Sequence, residues 1–240
     1  MTTLFISDLH IDTGCPEITR QFLDLVAGEA RGAEALYILG DFFESWVGDD
    51  AADPHQTAAI LGLKALTDSG VPCFVMHGNR DFLLGGRFCH LSGARLLPDP
   101  LLVTLYGEPV LVMHGDALCT DDSAYQRLRA TVRNPNWQRQ FLALSVEARR
   151  FLAGAARMGS QKHTAALEPA IADVNPQSVA AALRGAGAGT LLHGHTHRPA
   201  IHPLTVDGRA CTRIVLGDWH DRGSVLRWDR GGPELVSLPR

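Results

Sequence analysis

Five apolar runs in this chain end in the same chemistry, and that recurrence limits the fold more than any other feature. Leu4-Phe5-Ile6-Ser7 breaks into Asp8-Leu9-His10, and Leu36-Tyr37-Ile38-Leu39 runs into Gly40-Asp41. Val71 to Met76 leads into His77-Gly78-Asn79-Arg80-Asp81, and Val110 to Met113 into His114-Gly115-Asp116. The fifth run, Ala188 to Leu192, opens onto His193-Gly194-His195-Thr196-His197-Arg198-Pro199, with histidines at every second position. A sheet with buried strands produces this pattern when it presents ligands from loops at one edge. Alternate residues of an extended segment share a face, so two or three imidazoles meet in one small space as the last run ends. Imidazoles crowded in that way imply a shared metal.

The chain is long enough, at 240 residues, for one sizeable core or a core with a small attached lobe. A single domain over 1–240 is expected. The formal charge of −4 argues against broad nucleic-acid binding, and no extended basic face with interleaved aromatics suggests a nuclease. Eleven histidines are many for this length and fit a metal site. The five cysteines show no C-x-x-C spacing, so neither a disulfide framework nor a structural zinc site is expected. With no signal peptide ahead of Leu4 and no apolar run of about 18 residues, the expectation is a cytoplasmic protein that does not span a membrane.

Between the first two runs, Ile18, Phe22, Leu25 and Val26 fall on one helical face, which gives a β-α-β unit. A helix is expected from His55 to Thr67 with Ile60, Leu61 and Leu63 inward, and a short one from Phe82 to Leu91, interrupted at Gly85-Gly86. The loop from Gly40 to Asp50 carries three large aromatics and an acidic pair, and reads equally as a packed loop or a substrate wall. Beyond His114 the pattern changes. Asp121-Asp122-Ser123 is placed to cap a helix bearing Tyr125, Leu128 and Val132, ended by Asn134-Pro135. One longer helix is expected to follow, with Trp137, Phe141, Leu144, Ala148, Phe151 and Leu152 at intervals of three or four and one step of one. From Asp121 through Lys162 there are seven Arg and one Lys against two Asp and one Glu, in a chain that is negative overall. Such a segment reads as an inserted helical cap, over about 121–175, or as an ordinary helical pair with a solvated basic face. A helix near Pro176 to Leu183 then returns the chain to strands over Ile201–Val206, Thr212–Gly217 and Ser224–Trp228. His220 reads as structural.

The candidate ligands are Asp8, His10, Asp41, Asn79, His114, His195 and His197. Seven are too many for one first-row ion with an open position and suit two ions sharing a carboxylate, for which Asp41 is the natural bridge. Oxygen and imidazole donors without thiolate suit Mn(II), Fe(II), Zn(II), Co(II) or Ni(II) better than Mg(II). Such a pair acidifies water and clamps phosphoryl oxygens.

The ordered set Asp8-Leu9-His10, Gly40-Asp41, Gly78-Asn79-Arg80-Asp81, His114-Gly115-Asp116 and Gly194-His195-Thr196-His197 resembles the calcineurin-like metallophosphoesterases. That resemblance implies an α/β fold, a β-sandwich flanked by helices. It assigns Asp8, His10, Asp41 and His197 to one metal and Asp41, Asn79, His114 and His195 to the other, with Asp41, Asn79, His114 and His195 as the catalytic set. More closely, Phe42 to Asp50, His77 to Leu83, His114 to Asp122, Ile171 to Pro176 and Gly194 to Pro199 are similar to the family of UDP-2,3-diacylglucosamine pyrophosphohydrolases of Gram-negative lipid A synthesis. That likeness implies two Mn(II) ions and water attack on the α-phosphorus, giving UMP and 2,3-diacylglucosamine 1-phosphate. It further implies a peripheral site of action at the cytoplasmic face of the inner membrane, with the acyl chains beneath the cap. A monomer is expected. Substrate-binding roles carry over to Asn79, Arg80, Asp122, Ser160 and His195. The pattern then departs, with Thr164 and Leu167 where the family has Asn and Lys, and Lys162 nearby. Arg80 reads as a phosphate clamp or a partner of Asp81, and Asp122 as a substrate contact or a helix cap. Two other functions fit less well. A metallophosphoesterase for another nucleotide or phosphodiester would share the metal set, and its products would tell it apart. A non-catalytic metal-binding module would be expected to have lost ligands.

Overall fold

The structure, a computed structural model, describes residues 2–166, 173–220 and 222–238, with side chains over 161–166 outside the description. Its strands are β1 (Thr3–Ile6), β2 (Ala35–Ile38), β3 (Cys73–Met76), β4 (Arg95–Leu97), β5 (Leu101–Leu105), β6 (Glu108–Val112), β7 (Thr190–His193), β8 (Ala200–Val206), β9 (Arg209–Val215), β10 (Gly223–Asp229) and β11 (Gly232–Leu238). They form two sheets, in the orders β11-β10-β1-β2-β3-β4 and β5-β6-β7-β9-β8. The pairings β1 with β2, β2 with β3, and β6 with β7 are parallel, so these strands finish together at one edge of their sheets.

Alternation along β1 shows how the layers are built. Phe5 faces the opposite sheet and joins Leu39, Met76, Val112, Leu192 and Ile214 between the two. Leu4 and Ile6 face the other way, onto helices. There α1 (Pro16–Ala27) buries Ile18, Phe22, Leu25 and Val26 on the expected face. Next to it, α2 (Pro54–Asp68) begins at a capping box between Asp53 and Gln56. Ile60 and Leu63 point inward, but Leu61 is 60% exposed, against expectation, because one 100° step from Ile60 turns it away from the sheet. The third helix, α3 (Gly86–Ser92), starts later than the expected Phe82, after an extended Gly85. On the outside of the second sheet, α7 (Pro176–Ala186) packs Val179 and Leu183 onto Leu111 and Leu191. The result is a helix–sheet–sheet–helix stack with its main cores between layers.

Between β6 and α7 the chain leaves the sandwich as α4 (Ser123–Val132), α5 (Pro135–Leu142) and α6 (Val146–Ala166). Asp122 caps α4 by accepting from the Tyr125 N–H, and Asn134 caps α5. The single long helix expected from Trp137 to Leu152 is two helices. The Ser145 carbonyl accepts from the Arg149 N–H at 3.0 Å and its hydroxyl from Ala148 N–H at 3.3 Å, so α6 starts afresh after a break at 143–145. The C-terminal strands run close to their expected limits. The turn at Asp207-Gly208, with both φ positive, joins β8 to β9. β4, β5 and β11 had no sequence expectation. Among the described residues no helix is long and apolar enough to cross a membrane.

Candidate metal centre

All seven expected ligands come from loops at the one edge where both sheets end. They fall into two groups whose donor atoms lie within 4.8 Å of one another: Asp8, His10 and His197, and Asp41, His114 and His195. Asn79 joins the second, with Oδ1 2.9 Å from His114 Nε2. Asp41 stands between the groups, Oδ2 3.8 Å from His10 Nε2 and Oδ1 3.8 Å from His114 Nε2. Each group draws on both sheets, since Asp8, His10, Asp41 and Asn79 follow β1, β2 and β3, while His114, His195 and His197 follow β6 and β7.

The backbone is held in unusual conformations to achieve this. Asp8, His10, Asp41, His195 and His197 all have φ between 49° and 68°, a region that side-chain-bearing residues rarely occupy. Strain of that kind persists only where surrounding structure enforces it, and it gathers at functional sites. The enforcing contacts are visible. Asp8 N–H donates to the Gly40 carbonyl at 3.1 Å and His10 N–H to the Asp41 carbonyl at 3.0 Å. The Asp81 carboxylate accepts from the N–H groups of Gly78 and Phe42 at 2.7 and 2.8 Å, stitching the β2 and β3 loops together. Gly78 is required here because a Cβ would strike the Asp41 carboxylate and backbone.

The imidazoles are oriented from behind. His10 Nδ1 lies 2.7 Å from Glu44 Oε2, His197 Nδ1 lies 3.0 Å from Asp218 Oδ2, and His114 Nδ1–H donates to the Leu39 carbonyl at 2.9 Å. In each case Nε2 is left facing the shared space, the arrangement by which carboxylates and carbonyls orient metal-binding histidines. Asp8 supplies a second indication. Its Oδ2 accepts from the Ser7 hydroxyl and the His195 N–H, while Oδ1 is buried with no hydrogen bond. Bonds of about 2.1 Å at the angles of four- or six-coordinate ions place neighbouring donors about 3.0–3.5 Å apart. The 2.9 Å His114–Asn79, 3.3 Å His10–His197 and 3.4 Å Asp8–His197 separations match that spacing. The residues fit two divalent ions.

The electrostatics agree. Burial works against charge on Asp8, yet the His197, His114 and His10 imidazoles hold its carboxyl below the ordinary range. Asp41 is pushed up, chiefly by burial, with the Asp81 and Asp8 charges adding to it. Burial opposes a proton on His114 and His197, but the surrounding carboxylates raise them to about 9 and about 10. His195, held away from water and facing the His114 imidazole, is lowered to about 3 by desolvation first and by that neighbouring charge second. A pocket this rich in carboxylate draws in positive charge, whether protons or metal.

Next to the centre lies a cavity of about 790 Å³, lined in part by residues of α4, α5 and α6. Asn79, Arg80 and Ser160 line it, three of the residues expected to bind substrate. Arg80 Nε is buried without a hydrogen bond, and Asp81 is engaged by backbone N–H groups, which favours the clamp reading of Arg80 over the Asp81 pair. Asp122 serves as the α4 cap and is not among the cavity-lining residues. The side chains of Lys162 and Thr164, and the whole of Leu167, lie outside the described residues. The Gly40–Asp50 loop is packed in part and lines the cavity in part. Phe42 and Phe43 are fully buried and pack together, while Trp46 and Val47 line the cavity.

Three residues carry roles that the sequence reading did not assign to them. Glu44 sits in the aromatic loop with no pattern to announce it. Asp218-Trp219-His220 reads in sequence as outside the repeated junction chemistry, yet Asp218 reaches His197 Nδ1 at 3.0 Å, and Gly217-Asp218 after β9 has the form of Gly40-Asp41. Asp116, fully buried, accepts from the Tyr125 hydroxyl and from Arg129 Nε, both at 2.7 Å, and so seats α4 against the centre. Tyr125 in turn stacks on His195, with ring centroids 6.0 Å apart. His220, expected to be structural, is exposed and stacks on His10, centroids 5.9 Å apart.

A profile of the calcineurin-like phosphoesterases matches residues 1–199. The chain is 52% identical to the UDP-2,3-diacylglucosamine hydrolase of Stenotrophomonas maltophilia (strain K279a), and 50% and 49% identical to proteins of that name from Pseudomonas aeruginosa (strain UCBPP-PA14) and Enterobacter sp. (strain 638), with 100% of both chains covered each time. Among solved structures, an archaeal phosphodiesterase shares the fold at a TM-score of 0.52 and 12% identity, over 99% of this chain and 100% of that one.

Proposed function

The chain belongs to the calcineurin-like phosphoesterases, and from that membership we propose that it hydrolyses the pyrophosphate bond of UDP-2,3-diacylglucosamine, releasing UMP and 2,3-diacylglucosamine 1-phosphate. The reading takes in two Mn(II) ions per chain, a monomer working at the cytoplasmic face of the inner membrane, and a place in lipid A synthesis. Its substrate rests on the names of the relatives, and one feature of this chain supports it above the others. The cavity beside the metal centre has two chemistries. Its lining is polar and cationic in part, with Asn79, Arg80, Arg129 and Arg133, and apolar in part, with Trp137, Phe141, Leu144 and Leu152. A ligand that carries both phosphates and acyl chains suits that mixed lining.

Asp8, His10, Asp41 and His197 would hold one ion, and Asp41, Asn79, His114 and His195 the other. Ions bound there supply acidified water and withdraw charge from a phosphoryl group. The remaining work belongs to the protein. Arg80 presents a planar fork to phosphate oxygens, and Arg129 and Arg133 extend the positive field along the diphosphate. The helices over the cavity shield the reacting end from bulk solvent beyond the attacking water and so keep these interactions strong. A water oxygen bonds to the α-phosphorus and sheds a proton to solvent, while the bond from that phosphorus to the bridging oxygen breaks and its electron pair leaves with the sugar phosphate.

The test is product analysis. With Mn(II), UDP-2,3-diacylglucosamine should yield UMP and 2,3-diacylglucosamine 1-phosphate, and a UDP-sugar without acyl chains should turn over at least about a hundredfold more slowly. Similar rates on both substrates would reassign the enzyme to another substrate of the same class.

A further inference from the structure

Glu44 uses both of its carboxylate oxygens, and in opposite directions. Oε2 lies 2.7 Å from Nδ1 of His10, whose Nε2 faces the shared space of the metal centre. Oε1 forms an ion pair with Arg157 of α6. The carboxylate is 6% exposed, so neither contact is replaced readily by water. Its backbone is equally fixed. Glu44 N–H donates to the Ile11 carbonyl at 3.2 Å, one residue beyond His10, and Gln56 holds the Ser45 carbonyl at 2.8 Å. The same loop receives two more arginines from α6. Arg149 reaches both Asp50 oxygens and the Val47 carbonyl, and Arg150 reaches the Ala51 carbonyl at 2.9 Å.

We propose that Glu44 is a positioning residue that couples the seating of α6 to the affinity of the Asp8–His10–His197 half of the metal centre, with Arg157 as the link. The inference rests on the reading of this site as a metal centre. A histidine ligand binds well only when its ring is held in the right orientation and tautomer, and Glu44 does this for His10. Arg157 holds the other oxygen, so the direction in which the Glu44 carboxylate faces depends on where α6 lies. Removing Arg157 frees the carboxylate to turn, and His10 loses its fixed partner. The reverse must hold as well, because a coupling between two sites is reciprocal. An ion that fixes His10 also fixes Glu44, and thereby favours the seated position of α6.

The experiment uses the full chain, stripped of metal and titrated with Mn(II) against a chromogenic chelator, with no substrate present. Wild type should bind two ions. E44Q should weaken one of them by about 10- to 100-fold and leave the other within about twofold. E44D should recover part of the loss. R157M should weaken the same ion by about three- to tenfold, and adding R157M to E44Q should cause no further loss, since the link is already cut. Hydrogen exchange gives an independent reading. Metal should slow exchange over α6 in wild type and not in E44Q, while thermal melting checks that each variant folds. Unchanged affinity in E44Q, or equal weakening of both ions, overturns the positioning role. Unchanged affinity in R157M, or full additivity, overturns the coupling. A wild type that takes up fewer than two ions overturns the metal-centre reading itself.

Discussion

His10 and His197 point their Nε2 atoms at one another across 3.3 Å, while each Nδ1 is held by a different carboxylate, Glu44 and Asp218. Two imidazole lone pairs do not face each other at that distance without a cation between them. Without metal, a proton on His197 meets that need: burial opposes it, but the Asp218 and Asp8 carboxylates raise the His197 imidazole to about 10.

Metal binding should therefore release protons. Ligation requires neutral imidazole, and His114 and His197, at about 9 and about 10, retain their protons at neutral pH. Affinity for Mn(II) should rise about tenfold per pH unit for each proton displaced, up to pH 9–10. The metal-free fold should respond in the opposite direction. Histidines raised above the unfolded value of about 6.5 stabilise it fully below that pH, and the contribution is lost as pH climbs through about 9 to 10. Calorimetric titration in buffers of different ionisation enthalpy measures the first effect, and melting of the stripped protein across pH the second.

Replacing Asp41 with Ala should abolish turnover, by at least about a thousandfold, because each of its oxygens faces a different half of the centre. Elemental analysis should show metal content falling from about two ions per chain, with the circular dichroism of the fold retained. An unchanged rate with two ions still bound would exclude a shared carboxylate.

Hydrolysis in oxygen-18 water should place the label in UMP. Attack at the α-phosphorus sends the bridging oxygen away with the sugar phosphate. Mass spectrometry of both products reads this directly, and label in the sugar phosphate would locate attack on the β-phosphorus.

The apolar stripe of α5 and α6 should divide in its effects. Phe141 lines the cavity and is 9% exposed, whereas Phe151 is 76% exposed and lies outside the lining. Phe141→Ala should raise KM for the diacylated substrate about tenfold, the scale set by losing part of a buried aromatic surface. Phe151→Ala should stay within about twofold. Hydrolysis of a small chromogenic phosphodiester should change little in either. Equal losses on both substrates in Phe141→Ala would mean that this residue packs helices and does not meet lipid.

What the sequence reveals and what it hides follow from the range of the forces involved. The ligands were legible because strand ends repeat: an apolar run, then Gly or Ser, then a donor. That places Asp8, His10, Asp41, Asn79, His114, His195 and His197 without any tertiary knowledge. Glu44 could not be found in the same way, since its partners His10 and Arg157 lie 34 and 113 residues away and leave no periodic trace. Periodicity misled where it was least constrained. Trp137 to Leu152 keeps a helical rhythm across the Ser145 break, so only the backbone contacts of Ser145 separate α5 from α6. Leu61 has the chemistry of an inward residue, but the helical angle sends it outward. The short edge strand β4 carries too few residues to establish a period at all.

Each half of the centre takes donors from both sheets, and this reaches beyond chemistry. An ion in either place acts as a fastening across the open end of the sandwich, where among the described residues no strand of one sheet pairs with a strand of the other. Free metal at about a hundred times the dissociation constant adds about 2.7 kcal/mol per ion to the folded state, a sizeable share of what a domain possesses. Durability in the cell then tracks metal supply. A chain starved of metal is easier to open and quicker to be degraded, as well as idle, so the amount of this enzyme and its activity fall together.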